Sequence, residues 1–207
     1  MRQNVETITR IHLLGLPGAG KDTCACILKD MSKTDITKII STGDIFRGAT
    51  TPDGEYGCYY FDIKPFIEST NNGHYIPDET IVDIVNREIK KRQQENFSRF
   101  IFTGYPRTLG QLQEIKKTPQ NDFYIFLDCT EENAKKRIEK RYQKNLAEGK
   151  TTRADDLPEK FPNRLNQYQT LTVPVINELN KRGTLITLDT NGTVLEATQE
   201  IKRRITF

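Results

Sequence analysis

The chain has little of the material from which several protein classes are built. Its 207 residues include four cysteines, Cys24, Cys26, Cys58 and Cys129, and two histidines, His12 and His74. The cysteines form no C-x2-C pair and no even framework, which points to reduced, buried thiols rather than to disulfides or a metal site. Two histidines cannot supply a histidine-rich metal centre; His12 is expected to pack within a strand and His74 to sit in a surface turn. No Ser-His-Asp or Cys-His arrangement is in sight. No apolar run approaches the roughly 18 residues a membrane span requires. An excess of one charge is also missing, since 31 Lys and Arg face 28 Asp and Glu, a net of +3. That balance does not suit a general nucleic-acid or membrane-surface binder, so any basic site has to be local. The opening MRQNVETITR is polar and mixed in charge, unlike a secretory or transit segment, and a cytoplasmic protein is expected.

What is present is alternation. Short runs rich in Ile, Leu, Val and Phe occur at 8–16, 37–41, 100–103, 123–129 and 184–189. Longer stretches of mixed charge and helical spacing separate them. Nearly continuous apolar strands between helices specify a five-stranded parallel sheet covered on both faces, an α/β fold. Ligands of such sheets bind beyond the carboxyl ends of the strands. Two segments break the alternation: 42–77, punctuated by Gly, Asn and Pro, and the polar excursion 142–156. Both lack a sizeable apolar face in the sequence and are expected to be small mobile subdomains over a site. The remainder, 1–41, 78–141 and 157–207, is expected to form one core, making 1–207 a single domain.

The strongest chemical signal follows the first run: Gly15, Leu16, Pro17, Gly18, Ala19, Gly20, Lys21, Asp22, Thr23. Glycines here let backbone N–H groups turn inward around phosphate oxygens, Lys21 adds a point charge, and a following helix aims its positive end at the same anion. Asp22 stands directly after the lysine, so the usual hydroxyl arrives one residue late, at Thr23. The second run ends in Ser41-Thr42-Gly43-Asp44-Ile45-Phe46-Arg47, and the third in Thr103-Gly104-Tyr105-Pro106-Arg107-Thr108, with Gln111 following. Two arginines just past adjacent strand ends suggest an anion gripped between them. Gln111 offers a donor and an acceptor suited to a base edge. Arg137 and Arg141, one helical turn apart, share a face, and Arg153 and Arg164 flank the polar excursion. A triphosphate brings about four negative charges and a monophosphate about two, and phosphoryl transfer depends on neutralising them. The basic residues fit that task.

In this order, GLPGAGKDT, STGDIFR, GHYIPDE, GYPRTLGQ, KRIEKR, TTRADD, NRLNQY and NGTV resemble the P-loop nucleoside monophosphate kinases, and within them the adenylate kinases. The resemblance runs from about Ile11 into the last helical stretch. It implies a P-loop-type core with an acceptor-binding subdomain at 42–77 and a short lid at 142–156. The implied reaction is ATP + AMP to 2 ADP by direct in-line transfer with Mg²⁺; the alternatives are a UMP/CMP kinase or a nucleotide-binding sensor that has lost turnover. By resemblance, ATP occupies Gly15, Pro17, Gly18, Ala19, Gly20, Lys21, Asp22 and Thr23, with Arg137, Arg141 and Gly192. AMP meets Thr42, Arg47, Ile76, Gly104, Arg107 and Gln111, with Arg153 and Arg164. Lys21, Arg107, Arg141, Arg153 and Arg164 are the implied catalytic group. The lid has no cysteines, so no structural zinc is expected. A monomer with small-molecule nucleotides as its partners is expected, with neither nucleic acid nor membrane.

The chain departs from the family pattern in four places. Asp22 stands where Gly is usual, and Thr103 where an Asp usually orients magnesium-bound water. From these, Asp22 is a hypothetical metal neighbour, with Asp44 acting through water. The 42–77 stretch is about six residues longer than usual. Pro158 and Pro162 cannot both lie deep in the helix that carries Arg164, which leaves its start open.

Overall fold

The structure, a computed structural model, describes residues 8–32, 35–118, 120–149 and 157–205. Five strands form one sheet: β1 (Thr9–Leu14), β2 (Thr37–Ser41), β3 (Arg99–Thr103), β4 (Asn121–Asp128) and β5 (Leu185–Asp189). The sheet order is β2-β3-β1-β4-β5 and every pairing is parallel. Successive side chains of a strand point to opposite faces. On β3, Phe100 and Phe102 join one apolar cluster while Ile101 joins another. The sheet is therefore buried on both faces, which is why its strands are near-continuous apolar runs.

Helices supply the rest of both clusters. α1 (Lys21–Met31) buries Cys24, Ala25 and Leu28 against β1, with α10 (Val194–Arg204) on the same side, while α9 (Val173–Lys181) joins the same cluster and packs against β5 and the helix of 109–117. The opposite side receives Ile45 and Phe46 of α2 (Thr42–Gly48) and Ile81, Ile84 and Val85 of α5 (Asp78–Gln94). Between them run two short helices, α3 (Tyr60–Ile63) and α4 (Ile67–Asn71). The others are α6 (Leu109–Lys117), α7 (Glu131–Ala147) and α8 (Phe161–Gln167). Several helix starts are capped as their residues dictate. Ser41, Thr108 and Thr130 accept from backbone N–H groups one turn on, and Thr193 forms a reciprocal capping box with Glu196.

Three expectations are corrected here, and the helix start left open by Pro158 and Pro162 is located. The 42–77 stretch does have an apolar face: Ile45, Phe46, Ala49, Tyr56, Tyr59, Ile63 and Ile76 are buried together with α5 and β3. It is also tied to α5 through Tyr59 Oη, which donates to Glu88 at 2.9 Å, and through an Arg87–Asp62 ion pair at 2.7 Å. Residues 142–147 are not loop but the last turns of α7, which stops at Gly149, a glycine with φ +62°. The thiols are not all buried, since Cys26 and Cys58 are exposed. Pro158 opens a short 3-10 turn and Pro162 lies in the first turn of α8, so neither sits deep in a helix. Among the described residues, no helix is long and apolar enough to cross a membrane.

Candidate active site

A cavity of about 890 Å³ lies beyond the carboxyl ends of the strands, at the large end of the range for small-ligand sites. Its floor is the turn from β1 into α1, where Gly15, Gly18 and Gly20 all have positive φ. Gly18 cannot be replaced cheaply: a Cβ there would fall 2.5 Å from the Ala134 carbonyl oxygen of α7. Pro17, Ala19, Lys21, Asp22 and Thr23 complete the floor. The Lys21 ammonium donates to the carbonyl oxygens of Gly15 at 2.7 Å and Leu16 at 2.9 Å. Burial pushes its pKa down to about 7, helped by the positive charges of Arg107, Arg164 and Arg141 and opposed by Asp22. The nearby cations disfavour a further positive charge, and an anion bound among them would offset this.

One wall comes from the ends of β2 and β3. Thr42, at the start of α2, donates to the Gly104 carbonyl at 2.9 Å. Gly104 has φ +84°, and a Cβ would lie 2.6 Å from both Arg107 Nη2 and Thr42 Oγ1. Arg107 is anchored along its length. Its backbone N–H donates to Gln111 Oε1 at 2.7 Å and its Nε to the Gly104 carbonyl at 2.9 Å. Gln111 is buried and donates through Nε2 to Asp78 Oδ1 at 2.8 Å, so its amide already has two partners. Ile76 and Arg47 line the same wall. Arg47 is paired with Asp44 at 2.5 Å, three residues back on α2. Asp44 does not line the cavity, unlike Asp22.

The other wall brings in Arg137 and Arg141 from α7, Arg164 from α8, and Gly192 before α10. Arg137 donates to the Gly192 carbonyl at 3.0 Å and also to the Thr190 carbonyl, which ties α7 to the end of β5. Arg153 falls outside the described residues. Thr103, at the end of β3, is buried and its hydroxyl has no hydrogen-bond partner among the described residues.

A glycine-rich loop, a crowded set of cations and a deep cavity suit an anionic ligand, and comparison with known proteins names the family. The adenylate kinase family model matches residues 13–184. The chain belongs to the adenylate kinase family. It is 36% identical over 197 residues to a Bartonella bacilliformis adenylate kinase, covering 93% of this chain and 97% of that one. The Agrobacterium fabrum adenylate kinase is 35% identical over 199 residues, with 94% and 96% covered. That of Oenococcus oeni is 32% identical over 200 residues, with 94% and 96% covered.

Within this adenylate kinase fold the cavity walls also depend on residues that sequence reasoning passed over. Asp78, at the start of α5, receives Gln111 Nε2 and the Thr108 hydroxyl, joining the N-termini of two helices. Tyr75 and Thr172 both contact Arg107, one at its guanidinium and the other at its backbone carbonyl. Asp78 and Tyr75 lie inside the quoted GHYIPDE turn, which was the available signal; nothing local marks Thr172.

Proposed function

We propose that this chain moves the terminal phosphoryl group of ATP onto AMP, ATP + AMP ⇌ 2 ADP, by direct in-line transfer. The observation that carries this reading is the convergence of cations from separate elements on one cavity: Lys21, Arg47, Arg107, Arg137, Arg141 and Arg164. Phosphoryl transfer leaves the protein little covalent chemistry, so alignment and charge neutralisation are the work to be done. In this reading the 15–23 loop and Lys21 take the ATP phosphates, with Arg137 and Gly192 beside the donor base. Arg47 and Arg107 take the AMP phosphate, and Thr42, Gly104, Ile76 and Gln111 face the acceptor base. To do so, Arg47 exchanges Asp44 for phosphate. Arg141 and Arg164, with Arg153, close on the phosphates. The 42–77 stretch is then the acceptor-binding subdomain, and the segment after α7 the lid.

Magnesium suits this cavity as an ion that arrives with the triphosphate. Among the described residues no group of three or more His, Cys, Asp or Glu could hold a metal on its own. The Asp22 carboxylate lines the cavity and can meet the ion or its waters, whereas Asp44 is turned to Arg47. The ion's contribution when bound is to offset negative charge on the phosphates. A monomeric, cytoplasmic enzyme is the working form in this reading, in keeping with the unpaired thiols. A coupled assay of ATP against AMP, CMP, UMP and GMP tests it. Turnover with AMP well above the others is expected; preference for CMP or UMP, or no turnover at all, would overturn it.

A further inference from the structure

Tyr75 lies in the turn between α4 and α5, half-buried on the cavity wall. The Arg107 guanidinium sits over its ring, with Cζ 4.7 Å from the ring centroid. The Tyr75 hydroxyl is 3.3 Å from Thr172 Oγ1, and Thr172 donates to the Arg107 carbonyl at 3.0 Å. Thr172 is buried at the end of a π-helical turn, Tyr168–Thr172, a geometry found often at functional sites. The contacts make a closed circuit from ring to guanidinium, hydroxyl to threonine, and threonine back to the arginine's own backbone.

A guanidinium donates only in its plane. With one face against Tyr75 and Nε engaged by Gly104, the edge bearing the two terminal nitrogens is the one suited to a bidentate grip on phosphate. Ring contact fixes the plane, and the anchored backbone fixes where the plane begins. Tyr75 belongs to the 42–77 stretch, whereas Thr172 ends the π-helical turn that leads into α9. The arginine is therefore contacted by two parts of the protein far apart in sequence, which also meet where Lys160 and Asn163 donate to Asn72.

We infer that Tyr75 is a positioning residue for the acceptor phosphate, setting the plane of Arg107 before the acceptor arrives and linking it to the seating of the 42–77 stretch. This rests on the acceptor site proposed above. The test is steady-state kinetics with ATP and AMP varied separately, on Tyr75→Leu, Tyr75→Phe, Arg107→Lys and the Tyr75→Leu/Arg107→Lys double variant. Tyr75→Leu is expected to lower kcat/KM for AMP by about 3–30-fold, the span of a cation–π contact, with KM for ATP unchanged. Tyr75→Phe keeps the ring and should lose about 2–5-fold. In the Arg107→Lys background the leucine should add almost nothing, because no planar guanidinium is left to orient.

Should Tyr75→Leu fail to fold, Tyr75→Phe and Thr172→Val carry the same split between acceptor and donor. Unchanged activity of Tyr75→Leu in an otherwise active enzyme overturns the inference alone. Equal losses for ATP and AMP, or multiplying losses in the double variant, do the same by pointing to general packing. A parent protein with no AMP-dependent turnover overturns the proposed reaction and this inference with it.

Discussion

The Lys21 ammonium donates to the carbonyl oxygen of Gly15, six residues back in its own loop, at 2.7 Å. Its pKa lies near 7 because burial and the neighbouring arginines disfavour its charge. Triphosphate should pull that value back towards the ordinary lysine value of about 10.4. Between the two values, binding takes up a proton. Calorimetry at about pH 8.5 in two buffers of different ionisation enthalpy should show uptake approaching one proton, fading at about pH 6. Lys21→Met should abolish it. Identical heats in both buffers would count against the idea.

Arg107→Ala and Arg47→Ala are expected to lower kcat/KM for AMP by about 10²–10³-fold each, or about 3–4 kcal/mol of transition-state stabilisation. Thermal melting should shift little, since neither side chain belongs to the apolar clusters. Near-full activity of either variant would displace the acceptor phosphate from this wall.

The buried Thr103 hydroxyl has no partner among the described residues, and an unmet hydroxyl of this kind costs about 1–3 kcal/mol. Thr103→Val keeps the shape and removes the unmet group. Urea unfolding should show a gain of about 1 kcal/mol. A loss would mean that the hydroxyl is satisfied in solution.

Asp122 joins Arg10, at 2.7 Å, to His12, at 2.9 Å. Arg10 also donates to the Thr118 carbonyl at the end of α6, and the His12 ring stacks between Phe102 and Tyr124. Asp122→Asn leaves a buried guanidinium without its counter-charge and should cost about 3–5 kcal/mol. Burial alone would raise the Asp122 pKa, but hydrogen bonds from His12 and Arg10 leave it below the ordinary value. Burial lowers that of His12, against the pull of Asp122. Both folded values are depressed, so both contributions are present at neutral pH and fade on acidification. The His12 part starts to fall below about 6.5 and the Asp122 part below about 3.9. Urea midpoints across this range should decline in two stages; a flat profile would contradict the assignment.

Tyr59 and Ile63 anchor the 42–77 stretch in the apolar cluster around α5. Amides near Tyr59–Ile63 should therefore be protected from hydrogen exchange without ligand. Ile63→Ala should cost about 2–5 kcal/mol. Rapid exchange there in the free protein would restore the picture of a wholly mobile flap.

The strands were legible because a doubly covered parallel strand has no polar face to interrupt it; 37–41 is β2 to the residue. The 15–23 loop was equally plain, since glycine is the residue suited to its positive φ angles. The apolar face of 42–77 was hidden because its buried residues are spread over 3-10 turns and helices of a turn or so, too short to set up a period. Residues 142–147 looked like loop because the end of α7 is solvent-facing, and polarity marks exposure rather than irregular backbone. Thr172 lies 97 residues from Tyr75, and no local pattern predicts which distant side chains will meet.

Burial, with the charges of Arg107, Arg164 and Arg141 close by, depresses the pKa of Lys21. Holding like charges together costs the folded state something, and a bound anion would offset that cost. A nucleotide that binds only the folded chain stabilises it by about 2.7 kcal/mol at a hundredfold excess over Kd. The protein's lifetime thereby becomes a gauge of its own supply. When nucleotides are scarce, more of the chain is open to proteolysis, and when they return it is shielded. The side chains proposed to handle substrate would thus also set how long the enzyme lasts in the cell.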